Sequence, residues 1–361
     1  MHIAFLYTPG RLARLDDVRQ GFAPSEFFYG AIEIERAGHV CTLHEIEPAG
    51  SARGAWAVLD RLFPRGMLPV KTTWATVAAV APLLASLRRA EVVVATATPL
   101  AFAAAVWKRF GRLDRPLLGI QSGLPNYPHP FLRRALSREL LRQTHPVCFA
   151  VPEADAMRRM FGLETAEAIS FGVDTQFWSP GHETGGGYVL SVGNDAQRDF
   201  ETLVAAAGRF QAPVRILTER ALPEPLPANV ERIRGTWGGQ GIRDAGLRDL
   251  YRGARCVVVP LHPTLQPSGQ SVTLQAMACG KPVVLTRTEG LWDRPRPAAE
   301  QGVLLVPPHD PAALADAVRS LLDSPAEAAR LGADARRAVA DQGDIGPFAA
   351  RLLDLCLEVV G

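Results

Sequence analysis

The stretch Pro267–Gly290, PSGQSVTLQAMACGKPVVLTRTEG, runs a Ser/Gly turn directly into a helical pattern that stops at Gly280-Lys281-Pro282. A helix opening at about Ser271 leaves N–H groups near Gln270, Ser271 and Val272 with no partner inside the helix. With the helix dipole they make an anion site, worth about 0.3 to 1 kcal/mol per charge and up to about 2 kcal/mol when partly buried. A diphosphate suits such a turn; the alternative is that Ser271 merely caps a packing helix. A second stretch, SVGNDAQRDF at Ser191–Phe200, ends a strand at Gly193 and presents Arg198 from a short polar turn. Carboxyl ends of parallel strands form the ligand crevice in open α/β folds, so Arg198 is expected to meet the same phosphates in a bidentate contact, against the plainer reading of a solvated arginine. Lys281, in the Gly-Lys-Pro turn, is a further candidate cation that the turn could equally expose to water.

These groups need a scaffold, and the chain has the length for two cores at 361 residues. With 47% hydrophobic and 21% charged residues, the composition is that of a globular protein. A net charge of +2 without a long block of one sign argues against a nucleic-acid partner. The five cysteines, Cys41, Cys148, Cys256, Cys279 and Cys356, fit neither a disulfide framework nor a zinc site and read as reduced thiols. The N-terminal MHIAFLYTPG reads as a first strand and not as a signal peptide, which leads to an expected cytoplasmic location. No stretch is expected to span a bilayer.

Short apolar runs alternate with helical patterns, the signature of parallel sheets covered by helices. Strands are expected at His2–Tyr7, His39–Glu45, Glu91–Thr96, Leu117–Ile120 and Val147–Val151, with helices at Ser25–Ala37 and about Pro99–Phe110. After a Pro/Gly-containing linker come strands at Tyr188–Val192, Val214–Thr218, Cys256–Pro260, Val283–Thr286 and Val303–Val306. Helices are expected there at Phe200–Arg209, Leu247–Gly253, Ser271–Ala278 and Pro311–Leu322. The expected fold class is α/β: a Rossmann-like domain over 1–170, a linker over 171–187, a second Rossmann-like domain over 188–345, and a terminal helix over 346–361 that could cross back to the first.

The chain resembles the retaining family-four glycosyltransferases of GT-B fold, in which two Rossmann-like domains with parallel sheets face each other. FGVDTQFWSP (Phe171–Pro180) is similar to the family's inter-domain segment, SVGNDAQRDF to its donor-phosphate turn, and NVERIRGTW with LRDLYRGARCVVVPL to its base-binding stretch. LQAMACGKPVV and LLVPPHDPAALADAV follow in the family's order, while the first half matches more loosely, with LLGIQSGLPN in place of a His-Gly stretch. The resemblance implies transfer of a sugar from a nucleoside-diphosphate sugar to a hydroxyl acceptor, a saccharide, lipid or small molecule, with no metal or other cofactor. It places Arg198 at the diphosphate with Ser271 and Val272, Trp237 against the nucleobase, and Gln275 at the ribose hydroxyls.

Neither glutamate of the family's E-x7-E motif is present: the positions hold Pro267 and Gln275. Gln266 or Gln270 would then take over contact with the sugar, and Gln275 can still pair with ribose hydroxyls. Asn194 stands where the family has an arginine, and Ser122 where it has a first-domain histidine. In a retaining transfer the departing oxygen can take the acceptor's proton, so no carboxylate base is compulsory. The acceptor is expected against Thr8–Pro24 and Ser122–His129, with His129 and His145 as surface or capping residues. The alternative raised by the missing glutamates is a catalytically silent GT-B protein that binds a sugar nucleotide or a partner enzyme. A dinucleotide-binding dehydrogenase would need a G-x-G-x-x-G turn, which the chain lacks. Arg134, Arg138 and Arg142 at helical spacing, opposite Leu132, Leu136 and Leu140, allow peripheral contact with anionic lipid, although a solvated face is the plainer reading.

Overall fold

Two sets of apolar, β-branched runs build two parallel sheets in the computed structural model, which describes residues 1–47, 55–62, 68–181, 187–235, 241–291 and 301–361. The first sheet holds β1 (His2–Tyr7), β2 (Val40–Glu45), β3 (Val92–Ala95), β4 (Leu117–Ile120), β5 (His145–Cys148) and β6 (Glu167–Ala168), in the order β2-β1-β3-β4-β5-β6. The second holds β7 (Tyr188–Val192), β8 (Val214–Leu217), β9 (Val230–Ile233), β10 (Ala254–Val259), β11 (Val283–Thr286) and β12 (Val303–Val306), in the order β12-β11-β10-β7-β8-β9. Unbroken apolar runs such as Ile3–Tyr7 are fully buried because helices cover both faces of each sheet.

In each sheet the chain winds outward one way from its first strand and then resumes on that strand's other side. The order therefore reverses between β1 and β3 and again between β7 and β10. At such a switch point the loops leaving adjacent strands diverge and open a crevice at their carboxyl ends. The loops after β7 and β10 carry Arg198 and the Pro267–Val272 turn.

The terminal helix, Ile345–Glu358, buries Ile345, Phe348, Ala349, Leu352, Leu355 and Cys356 in the first lobe's core, with Ile3, Phe5 and Phe28. Gly30 makes room for it: a Cβ there would lie 2.9 Å from that of Ala349, and φ is +80°. The same seat breaks the helix expected over Ser25–Ala37. Ser25–Phe28 forms one 3₁₀ turn, Tyr29 and Gly30 take left-handed conformations, and the α-helix spans Ala31–Arg36. The strand expected at Val147–Val151 instead ends at Cys148, because a helix with proline in its first turn begins at Val151.

The stretch read as a linker is packed over its first part. Val173 bridges Asp344, Trp178 is fully buried, and Asp174 Oδ1 accepts the N–H groups of Gln176 and Phe177 at 3.1 and 2.9 Å. Among the described residues no helix is long and apolar enough to cross a membrane.

Candidate functional site

The turn after β7 is stitched on both sides. Thr218 Oγ1 donates to Gly193 O at 2.7 Å and lies 3.1 Å from Asn194 Oδ1, which accepts from Glu219 N at 2.7 Å. On the other flank Arg198 bridges Leu261, and His262 N donates to Gln197 O at 2.9 Å. The Arg198 side chain lies in a slot that only small neighbours leave open. A Cβ on Gly193 would overlap its Nε, and one on Gly269 would stand 2.7 Å from its Nη1.

Arg198 is 4% exposed, and burial lowers its pKa while Asp195 works against that shift. Its Nε lies 3.0 Å from Asp195 Oδ2 as an ion pair, yet neither Nε nor Nη1 makes a hydrogen bond among the described residues. A buried guanidinium with an unspent donor is costly unless an anion completes it.

Gly269, with φ +76°, precedes the Gln270–Ala278 helix without a side-chain cap. Its first-turn N–H groups, at Ser271 and Val272, have no intrahelical acceptor. They line the same cleft of about 290 Å³ as Asn194, Asp195, Arg198, Gln266 and Gln270, closed from the other side by Tyr29, Phe149 and Phe171. Asn194, Arg198, Gln270, Ser271 and Val272 are thus brought together. The Asn194 side-chain oxygen is already engaged by β8's exit, and Gln270 Nε2 reaches across the lobes to Phe149 O at 3.3 Å.

Ser122 does not line the cleft; its N–H donates to Thr98 Oγ1 at 3.2 Å. The adjacent Gly123 lies against Gln266, where a Cβ would meet Oε1 at 2.5 Å. This loop also pairs with the second lobe through Asn126 Nδ2 to Thr264 Oγ1 at 2.7 Å and Leu265 N to Asn126 Oδ1 at 3.1 Å. His129 donates to its own loop, from Nε2 to Leu124 O at 2.9 Å. Trp237 falls within 236–240, outside the described residues.

Two expectations are corrected. Gln275, expected at the ribose, is 5% exposed and lies at the lobe junction, where Nε2 donates to Glu26 Oε1 at 3.1 Å and Oε1 accepts from Tyr251 OH at 3.2 Å. Both amide atoms are engaged by protein. Lys281 follows the far end of the helix that opens at Gln270; nine residues at 1.5 Å each put it roughly 14 Å along the axis from the helix N-terminus at the cleft.

Asp195, three residues before Arg198, is a partner that its i,i+3 spacing makes legible in the sequence. Glu26 carried a weaker signal, an acid inside the apolar FAPSEFF. It is 3% exposed and accepts from Trp178 Nε1 at 2.6 Å, Gln275 Nε2 at 3.1 Å and Asp174 N at 3.0 Å. Burial pushes its pKa up to about 7 against those donors. Glu153, fully buried under the Ser122 loop and accepting from Gly123 N, is pushed up to about 8 by the same cause.

Residues 191–324 match the family described as Glycosyl transferases group 1. A D-inositol 3-phosphate glycosyltransferase of Saccharomonospora viridis is 31% identical over 222 residues, 51% of this chain and 48% of that protein. Such matches cover between 21% and 54% of the curated relatives' own length. Among solved structures, sucrose-phosphate synthase from Thermosynechococcus elongatus superposes with a TM-score of 0.70 at 18% identity, covering 99% of both chains. Anabaena HepE in complex with UDP and glucose gives 0.67 at 16% identity, covering 99% of this chain and 100% of that one. Sheet order, the cleft at the second switch point and these likenesses agree: the chain has the two-lobed GT-B fold, and residues 191–324 of its second lobe are similar to the Glycosyl transferases group 1 family.

Proposed function

We propose that this chain transfers a glycosyl unit from a nucleoside-diphosphate sugar to a hydroxyl acceptor, with retention at the anomeric carbon. The observation that carries the reading is the convergence of a buried guanidinium, with Nε and Nη1 lacking hydrogen-bond acceptors among the described residues, and the uncapped first turn of the Gln270–Ala278 helix on one cleft between the lobes. Donors preorganised toward a leaving diphosphate stabilise charge as it develops, without reorganising at the moment of reaction. The acceptor oxygen attacks on the face the diphosphate leaves, and a departing phosphate oxygen takes its proton. Transfer written this way uses no metal and no carboxylate base, so the absent motif glutamates are compatible with it.

Solved neighbours in complex with UDP and with UDP-glucose make a uridine diphosphate sugar the first donor to test. Thermal denaturation against a panel of nucleoside diphosphates and their sugars reads this directly, since a ligand of the folded state at 100 times its Kd adds about 2.7 kcal/mol. A stabilising donor should also be turned over when acceptors are supplied. Absence of any shift across the panel would remove the donor cleft, and binding without transfer or hydrolysis would leave a silent sugar-nucleotide-binding protein.

Peripheral membrane contact belongs to the same reading. Phe131 and Leu132 open the Phe131–Leu141 helix at 83% and 59% exposure, while Arg134 is tied to Met160 O at 2.7 Å. Co-sedimentation with anionic vesicles that does not weaken with salt, or does not occur, would end that part.

A further inference from the structure

Asp199, His262 and His309 lie far apart in the chain yet meet at the carboxyl rim of the second sheet, beyond β7, β10 and β12. Asp199 Oδ2 is 3.0 Å from His309 Nδ1 and 3.8 Å from His262 Nδ1, and one ligand atom from each residue lies within 4.8 Å of the others. Two ligands held about 2.1 Å from one zinc ion, near 100° apart, are themselves roughly 3.2 Å apart. The His309 spacing already fits this. His262 has to close by about half an ångström, which its 39% exposed side chain leaves room for.

The carboxylate is held in advance. Asp199 is buried, its Oδ1 accepts from Thr202 N at 3.0 Å, and its Oδ2 accepts from Thr202 Oγ1 at 2.7 Å. That oxygen has room for one more good donor, yet two imidazoles converge on it, their ring centroids 5.3 Å apart. Two neutral rings cannot both be well served by one carboxylate oxygen, whereas a cation among the three atoms is served by all of them. His309 also takes φ +56°, a left-handed conformation uncommon outside glycine, asparagine, aspartate and histidine. The next residue fixes that backbone: Asp310 Oδ1 accepts from Ala312 N at 3.0 Å and Ala313 N at 2.9 Å.

We propose that Asp199, His262 and His309 bind a first-row divalent cation of the zinc type. Two imidazoles and one carboxylate suit such ions and not magnesium or calcium, which favour all-oxygen sites. The half-exposed histidines leave further positions for water. A bound ion would tie together three strand exits and steady the turn that carries Arg198, beside Asp199. The sequence reading expected no metal, and glycosyl transfer as written above needs none; the cation site stands or falls independently of that activity.

Calorimetric titration of the full chain with zinc chloride tests the proposal, alongside magnesium chloride and the variants His262→Gln, His309→Gln and the double substitution. The expected result is one equivalent of zinc at micromolar Kd, at least ten-fold weaker in each single variant, lost in the double variant, with no response to magnesium. Both histidines are exposed enough for the variants to fold, which circular dichroism checks; Asp199→Asn, which alters a helix cap, is a secondary test. Absence of zinc binding below millimolar concentration overturns the site. So does zinc binding that persists in the double variant, because the ion then rests on other groups.

Discussion

Asp195 Oδ2 stands 3.0 Å from the Nε of Arg198, so the cleft's buried cation already has a carboxylate beside it. The pair supports burial of the arginine, but it also means that an incoming phosphate meets a negative charge at the same place. Asp195→Asn keeps an acceptor for Gln197 N while removing that charge. Nucleoside diphosphate should bind tighter by about 1 kcal/mol, roughly five-fold, as calorimetry would read it. Weaker binding would mean that the carboxylate orients Arg198 more than it competes with the ligand.

Replacing Arg198 itself separates charge from shape. Arg198→Ala should lower kcat by about 10²- to 10³-fold, the loss seen when one preorganised donor is deleted. Arg198→Lys should recover part of it, because the charge returns but the planar fork does not. Steady-state kinetics with the donor found by thermal shift would check both, and unchanged kcat in the alanine variant would discard the assigned role.

Gly193→Ala tests the slot without replacing a charged residue. The added methyl overlaps Arg198 Nε, so either the guanidinium or the β7 exit must move. Overpacking of this kind costs typically 1 to 3 kcal/mol, and donor affinity should fall with it. Chemical denaturation paired with donor titration distinguishes a displaced arginine from a merely tight neighbour.

Gln275→Glu restores one glutamate of the motif and should nevertheless be harmful. The amide now donates to Glu26 Oε1 at 3.1 Å. A carboxylate in its place sets two acids against each other in a buried site, destabilising the protein by about 1 to 3 kcal/mol near neutral pH. Urea melts should show the deficit shrinking in acid, as the pair takes up a proton. A variant as stable as the parent, with better donor binding, would reinstate position 275 at the ribose.

The raised carboxyls also set a pH dependence with a definite sign. Glu26 and Glu153 ionise near 4.5 in an unfolded chain but are pushed up to about 7 and about 8 when folded. Between those limits the folded state holds more protons than the unfolded one, so their contribution is complete below pH 4.5 and falls as pH rises through the window. At about 1.4 kcal/mol per pKa unit the loss amounts to a few kcal/mol for each group. Glu153→Gln can keep an acceptor for Gly123 N and should remove one share of this slope, measurable as a smaller difference in denaturant midpoint between pH 5 and pH 8. An unaltered slope would show that Glu153 is ionised in the folded protein.

The strands were plain in the residues because each is a short apolar run bounded by turn formers, and that signal is local. β1, β4, β7, β11 and β12 begin and end where the runs do, and the alternation with helices determined the parallel, two-lobed class. The placement of Arg198 and the Ser271 turn was legible for a related reason: each lies in a loop that leaves the carboxyl end of a strand.

What the sequence could not settle was orientation within the Gln270–Ala278 helix and the partners brought from afar. Val272 through Ala278 are all buried, so no apolar stripe distinguishes a side facing the cleft from a side facing the other lobe. Tertiary packing alone turned Gln275 toward Glu26 and carried the terminal helix onto Gly30. Each outcome depends on groups separated by many residues in the chain, and no local pattern records which of them will meet.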